Sequence, residues 1–230
     1  MTLDETRLAP VITVDGPSGA GKGTLSQLLA KHLKWHFLDS GALYRLTALS
    51  AINHGIALDQ AQDIAKVAAH LDIEFDVQSG CVYLEADDVT QSLRTEQTGA
   101  MASRVAAFPE VRMALVDRQR AFRRAPGLVA DGRDMGSVIF PDATLKVFLT
   151  ASAEQRARRR YEQLEQLGQW VDYEAVLADV QARDERDQSR DHSPLMPAAN
   201  AHILDSTHLN IEEVLDAVLA LLAELRLLPE

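Results

Sequence analysis

Along this chain, short apolar runs rich in β-branched residues alternate with longer stretches whose apolar positions fall three or four apart. Residues 11–14, "VITV", read as a buried strand, and a glycine-rich loop follows at 16–21. Residues 22–33 have helical spacing through Leu25, Leu28, Leu29 and Leu33. "WHFLD" predicts a second strand. "SGALYRLTALSAINHG" predicts a helix with Ser40 at its N-cap and Gly55 beyond its last turn. A short helix is expected over residues 64–71.

The rhythm then changes. "DIEFDV", "CVYLEA" and "DVT" are three strand-like pieces in a row, the first two joined by the turn "QSG". They predict a small antiparallel sheet inserted into the alternation, at about residues 72–90. Pro109 opens a helix expected to run to Arg124, where Pro126 and Gly127 stop it. "LVAD" and "TLKVFLT" are the next buried strands, followed by helices over 152–167 and 172–191. "AHILDS" is a last strand and residues 211–227 a last helix. About five apolar strands alternating with helices imply a parallel α/β sheet, with ligands at the strands' C-terminal ends.

Composition narrows the partners. The 230 residues are 47% apolar and 25% charged, with 34 acidic against 23 basic side chains for a net charge of −11. A general nucleic-acid or membrane-surface binder would carry a basic footprint, so neither partner is expected. Cys81 is the only cysteine, which excludes an internal disulfide and disfavours a thiolate metal site. The start "MTLDETRLAP" has neither a basic opening nor an apolar run, so no signal peptide is expected there, and "VLDAVLALLAELRLL" is too short to span a bilayer. A cytoplasmic protein is the expectation.

The strongest chemical signal is Gly16, Pro17, Ser18, Gly19, Ala20, Gly21, Lys22, Gly23 and Thr24, which fit Gly-x-x-x-x-Gly-Lys between a strand and a helix. Glycines let the backbone wrap phosphate oxygens, the helix N-terminus adds partial positive charge, and Lys22 reaches the β- and γ-phosphates. A merely solvated Gly/Ser turn is the bland alternative. Gly23 stands where a Ser or Thr usually places a hydroxyl on magnesium. Thr24 does not replace it, because one helical residue turns a side chain by about 100°. Magnesium would then be held by phosphate oxygens and water, with no direct side-chain ligand and a carboxylate acting through water. A switch GTPase needs that hydroxyl and an Asn-Lys-x-Asp motif, which is absent.

A second anion site calls for arginine forks, and this acidic chain supplies them. Candidates are Arg45 in "DSGALYR", Arg112 in "PEVRMAL", Arg133 in "DGRDMG", Arg156, Arg158, Arg159 and Arg160 in "QRARRRYEQL", and Arg183, Arg186 and Arg190 in "QARDERDQSR". Helical arginines are often only solvated, and Arg183, Asp187 and Arg190 share a face that would also suit a surface ion-pair ladder. "DGRDMG" follows a buried strand, where ligands sit in parallel sheets.

At this point the chain resembles the bacterial cytidylate kinases. The markers are "ITVDGPSGAGKGTL", "LDSGALYR", "RVAAFPEVR", "DGRDMG" with "VIFPDA", and "RDERDQSR" with "PL" and "LDS" beyond, over roughly residues 10–205. Adenylate kinases would show "DGFPR" in place of "DGRDMG". The resemblance implies a single P-loop α/β kinase domain over 1–230, usually monomeric. It also implies a monophosphate-binding part at 41–105 containing the small β insert, and a helical lid at 152–191. ATP phosphates would lie on the nine loop residues. Ser40, Arg112 and Asp134 would read cytosine; Arg45, Arg133 and Arg190 would hold the 5′-phosphate; Ser103, Arg183 and Asp187 would meet the sugar; Arg158 or a neighbour would lie in the lid over ATP.

The implied reaction moves the γ-phosphoryl group of ATP, with Mg²⁺, to CMP or dCMP. An ionised phosphate oxygen attacks without a general base, leaving alignment and charge neutralisation to Lys22, Arg133, Arg158 and Arg190. The seven scattered histidines need no catalytic part. A kinase of another small acceptor, UMP or shikimate, and a non-catalytic ATP-dependent interaction protein remain as alternatives.

Overall fold

The computed structural model describes residues 8–75, 81–189 and 193–225. The chain forms two compact units, Met1–Leu38 with Phe122–Glu230 and the intervening Asp39–Ala121.

The first unit is built on a five-stranded parallel sheet, ordered β2-β6-β1-β7-β8. Its strands are β1 (Val11–Asp15), β2 (His36–Asp39), β6 (Leu128–Gly132), β7 (Leu145–Thr150) and β8 (His202–Asp205). Central β1 pairs with β6 from Val11↔Leu128 to Asp15↔Gly132, and with β7 from Ile12↔Leu145 to Asp15↔Phe148. Every residue of β1 and β6 is buried, as a parallel strand covered on both faces requires. Helix α1 (Lys22–Leu33) lays Leu25, Leu29 and Leu33 on the same core as α8 (Ile211–Glu224), which contributes Val214, Val218 and Leu222. Asn210 and Glu213 close a reciprocal capping box at the start of α8, worth about 1 kcal/mol. Helices α6 (Ala153–Gln166) and α7 (Tyr173–Gln188) pack on each other through Ala157, Leu164 and Val176.

The second unit holds α2 (Ser40–Asn53), α3 (Ala61–Ala69), a small antiparallel sheet, α4 (Glu96–Val105) and α5 (Pro109–Arg120). The sheet has β3 (Ile73–Phe75), β4 (Val82–Leu84) and β5 (Asp87–Asp88) in that order, so the three expected strand-like pieces do pair. The expected turn "QSG" lies outside the described residues.

Three local readings change. Asp39, not Ser40, caps α2, its carboxylate accepting from the Ala42 N–H at 3.0 Å. An ionised acceptor in extended backbone serves the helix's positive end better than the serine one residue later. Helix α5 ends at Arg120, four residues early. Beyond it, Arg123 is drawn to the Ala9 carbonyl at 2.7 Å and to Asp142 at 2.7 Å. Helix α4 was not expected. Its buried side is made of small residues, Gly99, Ala102 and Ser103 among them, which give a weak periodic signal; Thr95 caps it through the Thr98 N–H.

Candidate active site

The glycine loop leaves the C-terminal end of β1 and enters α1 without a side-chain cap or an acidic residue in the first turn. The helix's first N–H groups are therefore left for an anion. At Gly16, φ is +146° and a Cβ would sit 1.9 Å from the Leu149 carbonyl oxygen, so only glycine lets the loop turn against β7. Lys22 is buried and donates to the Pro17 carbonyl at 2.9 Å, its ammonium folded over the loop it belongs to. Burial, then the nearby Arg133 charge, holds the Lys22 ammonium well below its ordinary proton affinity. A bound polyphosphate reverses that balance by supplying the missing counter-charge.

The Gly23 position is answered by Asp131 at the end of β6. A Cβ at residue 23 would lie 3.4 Å from Asp131 Oδ2, and Asp131 Oδ1 is 4.0 Å from Lys22 Nζ. A carboxylate thus borders the space that a Ser or Thr hydroxyl would enter. That donor set suits a magnesium ion held by phosphate oxygens and water. Among the described residues no three His, Cys, Asp or Glu side chains gather as a metal cluster.

The "DGRDMG" segment carries β6 into a turn of wide helix, Met135–Ile139, in which the Ile139 and Phe140 N–H groups bond five residues back. Buried Asp134 stands at its head, its carbonyl accepting from Val138 and Ile139. Arg133 donates from Nε to Asp187 Oδ2 at 2.9 Å and from Nη1 to the Gly132 carbonyl at 3.3 Å. Asp187 is only 2% exposed, so the surface-ladder reading of "RDERDQSR" fails there. Arg183 lies one turn before it on α7, and Arg190 falls outside the described residues.

The arginines of α6 divide by direction. Arg156 is buried: Nε bonds the Ala151 carbonyl at 2.9 Å, Nη1 the Ser18 carbonyl at 3.1 Å, and both terminal nitrogens grip Asp184 at 3.0 and 2.5 Å. Gly19 packs on it, a Cβ there lying 3.2 Å from Arg156 Cβ. Arg159 reaches the Ala20 carbonyl at 3.3 Å and the Ser206 carbonyl at 2.6 Å. It lines a cavity of about 220 Å³ with Ala20, Gly21, Thr24, Ser206 and Asn210. Arg158 is exposed. In the second unit Ser40 and Ser103 are buried and Arg45 half-buried, while Arg112 lies 5.6 Å from the Tyr44 ring centre and donates to the Ala106 carbonyl at 3.1 Å.

Sequence reading leaves Asp15, Asp131, Asp184 and Ser206 unassigned, and offers Arg156 and Arg159 only as arginine candidates beside Arg158. Asp15 and Asp131 carried a usable signal, each being an acidic residue at the end of an apolar strand. The others depend on contacts 28 to 186 residues apart that no local pattern shows.

A glycine loop between the first strand and first helix of a parallel sheet, with a buried lysine and an acidic strand end beside it, defines an α/β protein of the P-loop class. The solved structure of an uncharacterized protein from Eubacterium ventriosum shares this fold at 12% identity and a TM-score of 0.50, with 93% of this chain and 98% of that one covered. The cytidylate kinase family profile matches residues 12–224. Cytidylate kinases of Pseudomonas aeruginosa and Sodalis glossinidius are 56% and 54% identical, covering 91% and 94% of this chain and 93% and 96% of theirs. That of Yersinia pestis is 53% identical over 97% of this chain and 98% of its own. The chain belongs to the cytidylate kinase family.

Proposed function

We propose that the protein transfers the γ-phosphoryl group of ATP to CMP or dCMP, giving ADP and CDP or dCDP. Family membership supports the reaction class, and the observation that carries the residue roles is the gathering of Lys22, Asp131 and Arg133 at the ends of β1 and β6. The nine loop residues hold ATP phosphates by backbone N–H groups and Lys22. The cavity beside Thr24, Arg159 and Asn210 suits the purine, since it opens from the same loop. Mg²⁺ would be held by phosphate oxygens and water with Asp131 outside them, neutralising charge on the β- and γ-phosphates.

Arg133, with Arg45 and Arg190, takes the monophosphate; Ser40, Arg112 and Asp134 read cytosine; Ser103, Arg183 and Asp187 meet the sugar. Lys22 and the arginines stabilise charge spreading over the transferred group, and no general base is required because the attacking oxygen is already ionised. Helices α6 and α7 form the lid, excluding water once both nucleotides are bound. With a net charge of −11 the protein has no general nucleic-acid or membrane footprint, and we assign it as a cytoplasmic monomer. No described helix is long and apolar enough to cross a membrane. The test is ADP release from ATP with CMP, dCMP, UMP, AMP and shikimate side by side. Preference for CMP or dCMP is expected; preference for another acceptor, or binding of ATP without transfer, overturns the assignment.

A further inference from the structure

One buried carboxylate stands outside all the roles above. Asp15 closes β1 immediately before Gly16, and its two oxygens accept separately from the Met135 and Gly136 N–H groups, each at 2.8 Å. Those are the two residues following Asp134. The approach is tight, since a Cβ on Gly136 would fall 2.7 Å from Thr13 Oγ1 and 3.3 Å from Asp15 Oδ2. Thr13 Oγ1 is itself buried and finds no hydrogen-bond partner among the described residues.

We propose that Asp15 is a positioning residue for the acceptor nucleotide, its carboxylate fixing Asp134 and Arg133 in place relative to the phosphate loop. The inference builds on the assignment of Asp134 and Arg133 to CMP.

The geometry supports it in two ways. The residue that Asp15 precedes starts the ATP loop, and the residues it binds follow the proposed base reader, so one side chain sets the spacing of the two sites. A carboxylate is also a poor choice here for stability alone. Burial, together with Asp131 and Asp134, raises its proton affinity to about pH 7, against a partial offset from the two N–H groups. An amide of the same shape would avoid that charge. It would accept from one N–H only and turn its own NH₂ toward the other.

The test is steady-state kinetics of Asp15→Asn and Gly136→Ala beside Asp134→Ala, with thermal midpoints. Gly136→Ala crowds the same contact from the other side and leaves residue 15 an aspartate, so it keeps the test open if Asp15→Asn folds poorly. Both variants should raise KM for CMP about tenfold, the effect of one lost charged hydrogen bond, and leave KM for ATP within about twofold. Both should also narrow the CMP-to-UMP ratio of kcat/KM. A purely structural role would lower the thermal midpoint and leave that ratio and the split between the two KM values untouched, which overturns the proposal. If Asp134→Ala leaves the ratio unchanged, the base-reading assignment fails. The KM for CMP in Asp15→Asn and Gly136→Ala then decides the inference through Arg133 alone.

Discussion

Arg133 and Asp187 are bonded to each other, Nε to Oδ2 at 2.9 Å across 54 residues of sequence. One was expected on the acceptor's phosphate and the other on its sugar. The pair joins the end of β6 to α7, and its two halves are buried unequally, at 19% and 2% side-chain exposure. Removing the less buried partner takes a charge-assisted hydrogen bond from the more buried carboxylate. Arg133→Ala should therefore destabilise the protein by about 1.5–3 kcal/mol, and Asp187→Ala by less, because Arg133 can turn to solvent. Urea unfolding of both single variants and the double variant decides this; equal losses would show that the pair is not the buried unit described.

Lys22→Ala should reduce turnover by about 10²–10³-fold, the effect of deleting a charge contact to a transferring phosphoryl group. Its ammonium is buried and disfavoured without a bound anion, so the thermal midpoint of the nucleotide-free variant should hold or rise. Near-normal turnover would remove Lys22 from the chemistry.

Base choice turns on Asp134. Cytosine offers an amino donor that a carboxylate accepts, whereas uracil places a carbonyl oxygen there. Asp134→Ala should cut CMP use by about 5- to 150-fold, from roughly 1–3 kcal/mol, and spare UMP. Parallel kcat/KM measurements with the two nucleotides give the answer, and an equal fall in both would assign Asp134 to bracing alone.

The arginines of α6 should separate by assay. Arg156→Ala leaves the Ser18 carbonyl and Asp184 without their donor and should destabilise the protein by about 2–4 kcal/mol. Exposed Arg158→Ala should change stability by no more than about 0.5 kcal/mol. If α6 and α7 close as a lid, ATP and CMP together should protect residues 157–189 from hydrogen exchange more than either nucleotide alone. Equal protection in the free and doubly bound protein would reduce these helices to a fixed scaffold.

Stability should also depend on pH through Asp15. Its folded proton affinity is raised from 3.8 to about 7, so its contribution is full below about pH 4 and is lost as pH rises toward 7. The charges facing it are Asp131 and Asp134, which raise the shift, and Lys22, whose own depressed affinity acts at higher pH. Across roughly three pH units the loss amounts to about 4 kcal/mol at about 1.4 kcal/mol per unit. Nucleotide-free Asp15→Asn should show a flatter decline between pH 4 and 7 than the parent protein. Identical slopes in urea unfolding would place the titration elsewhere.

The sequence by itself determined the alternation of strands and helices, the inserted three-stranded sheet and the phosphate loop. Those signals are local: periodicity over a dozen residues in α1, a strand–glycine–lysine–helix order, and turn residues between short strands. It also supplied the arginines, but not their directions. Arg156, Arg158 and Arg159 lie within four residues, yet one is buried against Ser18 and Asp184, one is exposed, and one reaches Ser206. Helical rotation of about 100° per residue sends them apart, and only packing of α6 and α7 decides what each meets. The same holds for Asp15 and Asp131. Parallel pairing of β1 with β6 brings Asp15 level with Gly132, more than a hundred residues on in sequence, so these carboxylates acquire their meaning only when the sheet has formed.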